Sequence, residues 1–248
     1  MMLQYSGITT RGKRKNNEDA FAADGRLYFH DSEDVKTGLM KVDIDEGWHV
    51  FAIADGMGGH ASGEIAARSS LQLLCQAFGE GDAQDEASLR EVFDLIHAYL
   101  LAQEDKPGMA GMGCTLTGAA LSAGKAYIFN IGDSRTYQFR SGYLSQVTKD
   151  HSLRSLPGMS DAPQNQLMSS LGGGQPDYIA DVWDYSDKLK PGQALVMSSD
   201  GYHEFADIDV LEAILAKELD VSEIEKEALA VQERGSTDNT TLLVLALK

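Results

Sequence analysis

The chain is expected to fold as an α+β protein with antiparallel sheets, and three observations support this. Short apolar runs of strand length recur along the chain. The helical patterns arrive in two blocks, not in regular alternation with strands. Apolar runs also come in pairs around turns, as from Ala126 through Gly142 to Val147. A parallel sheet would require strand–helix alternation, so layered antiparallel sheets fit better.

Taken in order, Val50–Ala54 is the first buried strand, five apolar residues with β-branched and aromatic members. A helix follows from Ser62 to Phe78, with Ile65, Leu71, Leu74, Cys75 and Phe78 on one face. A second runs from Glu86 to Gln103, where Leu89, Val92, Phe93, Ile96 and Leu100 keep helical spacing. Ala126–Ile131, Ala194–Met197 and Thr240–Leu247 are further strands, and helices are expected near Val210–Leu219 and Glu223–Glu233. Asp150–Gln175 has no clean periodicity and reads as loop. The five prolines, with no low-complexity tract and no internal repeat, leave no obvious linker, so residues 1–248 are expected to form one domain.

Composition narrows the function classes. Lys and Arg number 21 against 38 Asp and Glu, giving a net charge of −17, and hydrophobic residues make up 43%. That is globular, and too acidic for a grip on nucleic-acid phosphates or anionic lipid. Cys75 and Cys114 are the two cysteines, so no disulfide framework is expected and a reducing, cytoplasmic setting is the simplest reading. No apolar run approaches the ~20 residues of a membrane span, and Met1–Thr10 lacks the pattern of a secretory leader.

The informative acids are those at strand ends. Asp55 follows Phe51–Ala54 and precedes Gly56. Asp133 follows Ile128–Gly132, Asp200 follows Leu195–Ser199 and precedes Gly201, and Asp238 directly precedes Asn239 and the last strand. Burying those strands carries the aspartates to the rim of one core. Converging carboxylates must take up protons or share a cation, and hard oxygen donors suit Mg²⁺ or Mn²⁺. Other phosphate motifs fail. Gly81 and Ala120 stand where a cysteine phosphatase needs its arginine, and Ala119 and Ala126 break a P-loop around Gly124-Lys125. Asp43-x-Asp45 does not complete a calcium loop.

Ala54-Asp55-Gly56-Met57-Gly58-Gly59-His60 closely resembles the signature of bacterial protein phosphatase 2C-like enzymes, the metal-dependent Ser/Thr phosphatases of the PPM family. Gly12–Asp19, Gly111–Leu116, Asn130–Arg135, Asp150–Ser152, Ser199–Gly201 and Ser236–Thr240 match in the same order. The resemblance implies a four-layer αββα sandwich with a metal site at one sheet edge and a reduced flap after Ser152. By position, Asp55, Asp200 and Asp238 would hold the first Mn²⁺ or Mg²⁺. Asp55 and the Gly56 carbonyl would take the second, and Asp133 with Asp200 a third. Glu18 and Asp19 match acids acting through bound waters, and Arg14 matches the phosphate clamp, a role that Lys13 or Lys15 could share. Asp55, Asp200, Asp238 and Arg14 are thus the expected catalytic residues.

The implied reaction is hydrolysis of phosphoserine and phosphothreonine by an activated water, without a phosphoenzyme, by a monomer opposing a bacterial Ser/Thr kinase. The alternatives are a non-catalytic phosphoprotein-binding module on this scaffold, or a partner-switching phosphatase of an anti-anti-sigma-type protein. Met57 stands where human-type members place a histidine. His60 and His151 read as structural, and His203 is an open candidate beside Asp200-Gly201.

Overall fold

The computed structural model describes residues 1–57, 62–159 and 166–248. Gly58–Ala61 of the signature segment and Pro163–Asn165 of the expected flap lie outside the described residues.

The first half of the chain contributes strands β1 (Met2–Thr10), β2 (Asp19–Ala23), β3 (Arg26–Tyr28), β4 (Val35–Lys36), β5 (Met40–Asp43) and β6 (His49–Met57). Helices α1 (Gly63–Glu80) and α2 (Glu86–Gln103) follow. Next come β7 (Gly113–Cys114), β8 (Leu116–Ser122), β9 (Lys125–Ile131), β10 (Arg135–Arg140) and β11 (Tyr143–Gln146). The remainder is β12 (Leu171–Gly172), β13 (Asp181–Asp184), β14 (Ala194–Ser198), α3 (Asp200–His203), α4 (Ile208–Leu215), α5 (Val221–Glu233) and β15 (Thr240–Leu247).

Among the described residues these strands make two antiparallel sheets. One runs β11-β10-β14-β15-β1-β4, with β5 also on β1. The other runs β12-β7-β6-β8-β9-β13, with β2 and β3 added beside β6. Alternation along each strand assigns the two faces. On β15, Leu243 and Leu245 enter a buried cluster with Leu3, Tyr5, Phe51 and Leu195 that lies between the sheets. Leu242 and Val244 point the other way, into a cluster with Leu211 and Ile214 of α4 and Ile224 and Val231 of α5. On the opposite side Leu71 and Leu74 of α1 and Phe93 and Ile96 of α2 cover Ala52, Ala120 and Phe129. The layers are therefore helix, sheet, sheet, helix, as the family resemblance implies.

Helix ends follow local chemistry. Asp85 caps α2 by accepting the Ser88 N–H at 2.9 Å, while the Ser88 hydroxyl accepts the Asp85 N–H at 3.0 Å. Asp220 starts α5 by accepting the Ser222 N–H at 2.8 Å.

Three expectations need correction. The run from Ala126 to Val147 is not a single set of paired strands. Only β10 and β11 form a hairpin, whereas β9 and β10 lie in different sheets, joined by a crossover at Gly132-Asp133-Ser134. Both strands are buried on both faces, so periodicity alone does not tell pairing from crossing. The helix expected to reach Leu219 ends at Leu215. Leu219 still packs into the same cluster as Leu211, so its apolar spacing continues past the break. Within Asp150–Gln175 the structure adds a short 3₁₀ turn, Leu153–Ser155, and β12, which pairs with β7 through Leu171 and Cys114.

Candidate active site

The four strand-end aspartates converge. Asp55, Asp133, Asp200 and Asp238 line one cavity of about 540 Å³, together with Arg14, Lys15, Asn16, Glu18, Gly56, Met57, Thr115 and Asn239. Each sheet brings its share. Asp55 lies near the end of β6, and Asp133 sits on the crossover after β9. Asp200 opens α3 directly after β14, and Asp238 precedes β15.

Local hydrogen bonds fix these positions. The Thr115 N–H donates to the Asp55 carbonyl at 2.9 Å, and the Asp55 N–H donates to the Thr115 hydroxyl at 3.1 Å. That hydroxyl lies 2.8 Å from the Ser134 hydroxyl, tying Asp55 to the loop that carries Asp133. Asp238 accepts the Asn239 N–H at 2.8 Å. At Gly56 a Cβ would fall 2.2 Å from the Gly63 carbonyl oxygen and 2.6 Å from that of Glu18, so the backbone approach there requires glycine.

Asp19 lies opposite Asp55 in the β2–β6 register and is buried behind the cavity. One of its carboxylate oxygens accepts from the Ser199 and Thr241 hydroxyls, both at 2.7 Å, which links the two sheets. Its other oxygen is buried and has no hydrogen-bond partner among the described residues. Glu18 lines the cavity and is partly buried.

The electrostatics are those of crowded acids. Burial pushes Asp55 well above the usual carboxylate range, reinforced by Asp19, Asp200, Asp133 and Asp238. Burial, then Asp200, pushes Asp133 up to about 7. Asp200 is raised by burial and then by Asp238, and Asp19 by burial against the opposing effect of its two hydroxyl donors. Burial and the neighbouring Glu64 raise Glu18. An orphaned carboxylate oxygen and several mutually repelling hard-oxygen donors around one cavity fit a divalent cation. Among the described residues no three His, Cys, Asp or Glu side chains are drawn together closely enough to hold a metal ion as they stand. The donors are instead spread around a space that keeps room for water, the usual habit of Mg²⁺ and Mn²⁺ sites.

Arg14 reaches the cavity, and its guanidinium Nη2 lies 2.6 Å from Asp238 Oδ2. The expected phosphate clamp thus rests on a site carboxylate. Met57 lines the cavity and offers no proton donor. His60 lies outside the described residues. His151 is buried, with Nδ1 accepting the Gly132 N–H at 3.3 Å and Nε2 3.0 Å from Asp181, a structural setting. His203 is buried beside Ser198, and burial followed by Arg135 keeps it neutral, well below the usual histidine range.

Thr115, Ser134, Ser199 and Asn239, which fall within the matching segments but were given no role there, and Thr241 outside them, support the site. Ser134, Ser199 and Asn239 each adjoin one of the strand-end aspartates, and that adjacency was their signal; Thr115 and Thr241 carry none in the sequence.

Two stacked antiparallel sheets between helix layers, with acids from both sheets gathered at one edge, define the scaffold class. A sequence model described as protein phosphatase 2C matches residues 39–234, and the chain belongs to that family. It is 30% identical over 261 residues to the serine/threonine protein phosphatase PstP of Mycobacterium tuberculosis, an alignment covering 98% of this chain and 45% of that protein. The chain therefore spans less than half the length of that relative. It is 28% identical over 213 residues to the serine/threonine phosphatase stp of Listeria welshimeri, covering 79% of this chain and 83% of that one. Among solved structures, the catalytic domain of PstP in complex with two manganese ions superposes with a TM-score of 0.76 at 25% identity, covering all of both chains. No helix among the described residues is long and apolar enough to cross a membrane.

Proposed function

We propose that this chain is a metal-dependent protein phosphatase that hydrolyses phosphoserine and phosphothreonine, with residues 1–248 as its catalytic domain. The observation that carries the reading is the convergence of Asp55, Asp133, Asp200 and Asp238, with Arg14, on one cavity in a member of the protein phosphatase 2C family. In this reading Asp55, Asp200 and Asp238 would hold one cation, Asp55 and the Gly56 carbonyl would serve a second, and Asp133 with Asp200 would serve a third. Mn²⁺ is favoured over Mg²⁺ by the manganese complex of the related catalytic domain. When bound, the cations activate water and offset charge on the phosphoryl oxygens.

The chain's own residues bind and orient. The tether of the Asp55 backbone to Thr115 fixes the strand end from which its carboxylate projects. Arg14 carries a planar, permanently charged fork suited to phosphate oxygens, and a substrate phosphate would compete with Asp238 for it. Glu18 and Asp19 stand behind the ligands to orient water. The Cys114 thiol, pushed up to about 12 by burial, is no nucleophile, so a cysteinyl phosphoenzyme is disfavoured. The substrates would be phosphoproteins modified by a bacterial-type Ser/Thr kinase. The enzyme would act as a monomer in a reducing, cytoplasmic compartment, consistent with two free cysteines.

The test is phosphate release from a phosphothreonine peptide with Mn²⁺, with EDTA, and with the Asp55→Asn variant. Loss on the order of a thousandfold is expected in either case, as several kcal/mol of transition-state stabilisation disappear. Turnover that survives EDTA or the substitution would overturn the metal mechanism.

A further inference from the structure

Positive charge is scarce in this protein, and its densest run sits on the lip of the cavity. Arg11, Lys13, Arg14 and Lys15 fall within five consecutive residues of a chain whose net charge is −17. They occupy the loop between β1 and β2, and all four are exposed.

The loop is held in place. Gly12 adopts φ +58°, and a Cβ there would lie 2.3 Å from the Asp238 carbonyl oxygen, so the backbone is pressed onto the loop that carries Asp238. The Asn239 side-chain amide donates to the carbonyls of both Arg11 and Asn16 at 2.9 Å, closing the two ends of the segment. Its side-chain oxygen accepts the Glu18 N–H at 2.9 Å. The Arg14 N–H bonds the Arg11 carbonyl at 3.1 Å, making a turn between them. These cations are therefore displayed on a fixed platform beside the carboxylates.

Their partners differ. Arg14 is taken by Asp238, and the Lys13 ammonium donates to the Gln232 carbonyl at 3.2 Å. Arg11 and Lys15 make no side-chain hydrogen bond or ion pair among the described residues, and Lys15 lines the cavity. Like charges packed this closely repel, and among the described residues neither of these two side chains is held by a carboxylate. Elsewhere the net negative surface repels anionic peptides, so the lip is the local exception to the protein's field.

We propose that the Arg11–Lys15 lip selects phosphopeptides carrying a second anionic group, a carboxylate or another phosphate, within a few residues of the scissile phosphate, with Lys15 as its main contact and Arg11 supporting it. This rests on the phosphatase reading above and adds a substrate preference to it. Exposed ion pairs are individually weak and screened by salt. The preference should therefore be modest, about threefold to tenfold, and should fade at high ionic strength.

The experiment compares three phosphothreonine peptides differing only beside the phosphorylated residue: one neutral, one with aspartates, one with a second phosphothreonine. The readout is the ratio of kcat/KM for each anionic peptide over the neutral one, with Mn²⁺, for the wild type, Lys15→Glu and Arg11→Glu. A wild-type ratio of about threefold to tenfold that falls to one or below in Lys15→Glu, and falls partway in Arg11→Glu, supports the proposal. The two anionic arms show whether carboxylate or phosphate is preferred. A wild-type ratio near one, or a ratio unchanged in Lys15→Glu, overturns it. Fluorescence anisotropy with the same labelled peptides reads the lip without turnover, by the same ratio of affinities, and equal affinities overturn the proposal. Hydrolysis of none of the peptides would instead overturn the phosphatase reading and leave the anisotropy ratio to decide the role of the lip.

Discussion

The layer between the two sheets has two unlike ends. Away from the cavity it is filled by Leu3, Tyr5, Phe51, Leu195, Met197, Leu243 and Leu245. Toward the cavity the two sheets and the turns at their edge bury Thr9, Asp19, Thr115, Thr117, Thr136, Ser199 and Thr241 instead. At the first end the sheets are held by non-directional apolar contact. At the second they are joined by directional links, including Ser199 and Thr241 to Asp19 and Thr117 Oγ1 to Thr136 Oγ1 at 2.9 Å. Apolar packing tolerates small shifts, whereas carboxylates meant to share a cation need fixed positions. The hydroxyl end can hold such acids because each hydroxyl both satisfies a buried polar group and sets its direction.

This division can be broken from either end. At the apolar end, Phe51→Ala should cost about 3–5 kcal/mol of stability, the usual penalty for emptying a buried aromatic site. Turnover per folded molecule should hardly change. Chemical denaturation alongside kcat at low temperature checks this; a collapse of kcat in protein that remains folded would show the two ends to be coupled.

Asp19→Asn tests the opposite end. The side chain keeps its shape and can still meet Ser199 and Thr241, so the fold should persist. Turnover should fall roughly 10–100-fold, as for lost outer partners of metal ligands. A thermal scan paired with metal titration distinguishes this from unfolding, and wild-type turnover would place Asp19 in a purely structural role.

A smaller effect is expected of Thr115→Val. Shape is conserved, but the Asp55 N–H loses its acceptor and the Ser134 hydroxyl its neighbour. Such a change costs about 1–2 kcal/mol. Thr115→Ser should restore most of it, because the restored hydroxyl, not the methyl, carries the link. Failure of serine to rescue would show packing to matter more than the hydrogen bonds.

How much of this was legible beforehand follows from the same contrast. The strands Thr240–Leu247 and Ala126–Ile131 and the helix Glu86–Gln103 announced themselves through apolar periodicity, and the aspartates through their places at strand ends. The crossover between β9 and β10 was not legible. A strand buried on both faces has no period to indicate which sheet it joins, and a turn at Gly132 serves a hairpin or a crossing equally well. Nor could the sequence place Arg14 on Asp238, since that contact joins positions far apart in the chain. The hydroxyl floor went unread because Ser and Thr inside strands are common, and only the paired sheets show them facing one another.

The smallest effect concerns protons, and its sign follows from Asp133. Burial and Asp200 raise its pKa from the ordinary 3.8 to about 7. Between those values the native chain holds a proton that the unfolded chain has released. The group's contribution to stability is therefore greatest at the acid end and is lost as pH rises through the folded pKa. In EDTA, raising the pH from about 6 to 8 should cost roughly 1 kcal/mol through this group alone, or about 2–4 °C in Tm for a chain of this size. Asp19 and Asp200, also raised, push the same way. His203, held neutral in the native chain, pushes the opposite way, and it does so equally in wild type and variant. Asp133→Asn should therefore flatten the decline by that amount, and Mn²⁺ should flatten it in the wild type by replacing the missing protons with a cation. Parallel wild-type and variant curves in EDTA would mean that Asp133 titrates as an ordinary surface acid. The crowding on which the proposed cation site rests would then not extend to the crossover loop.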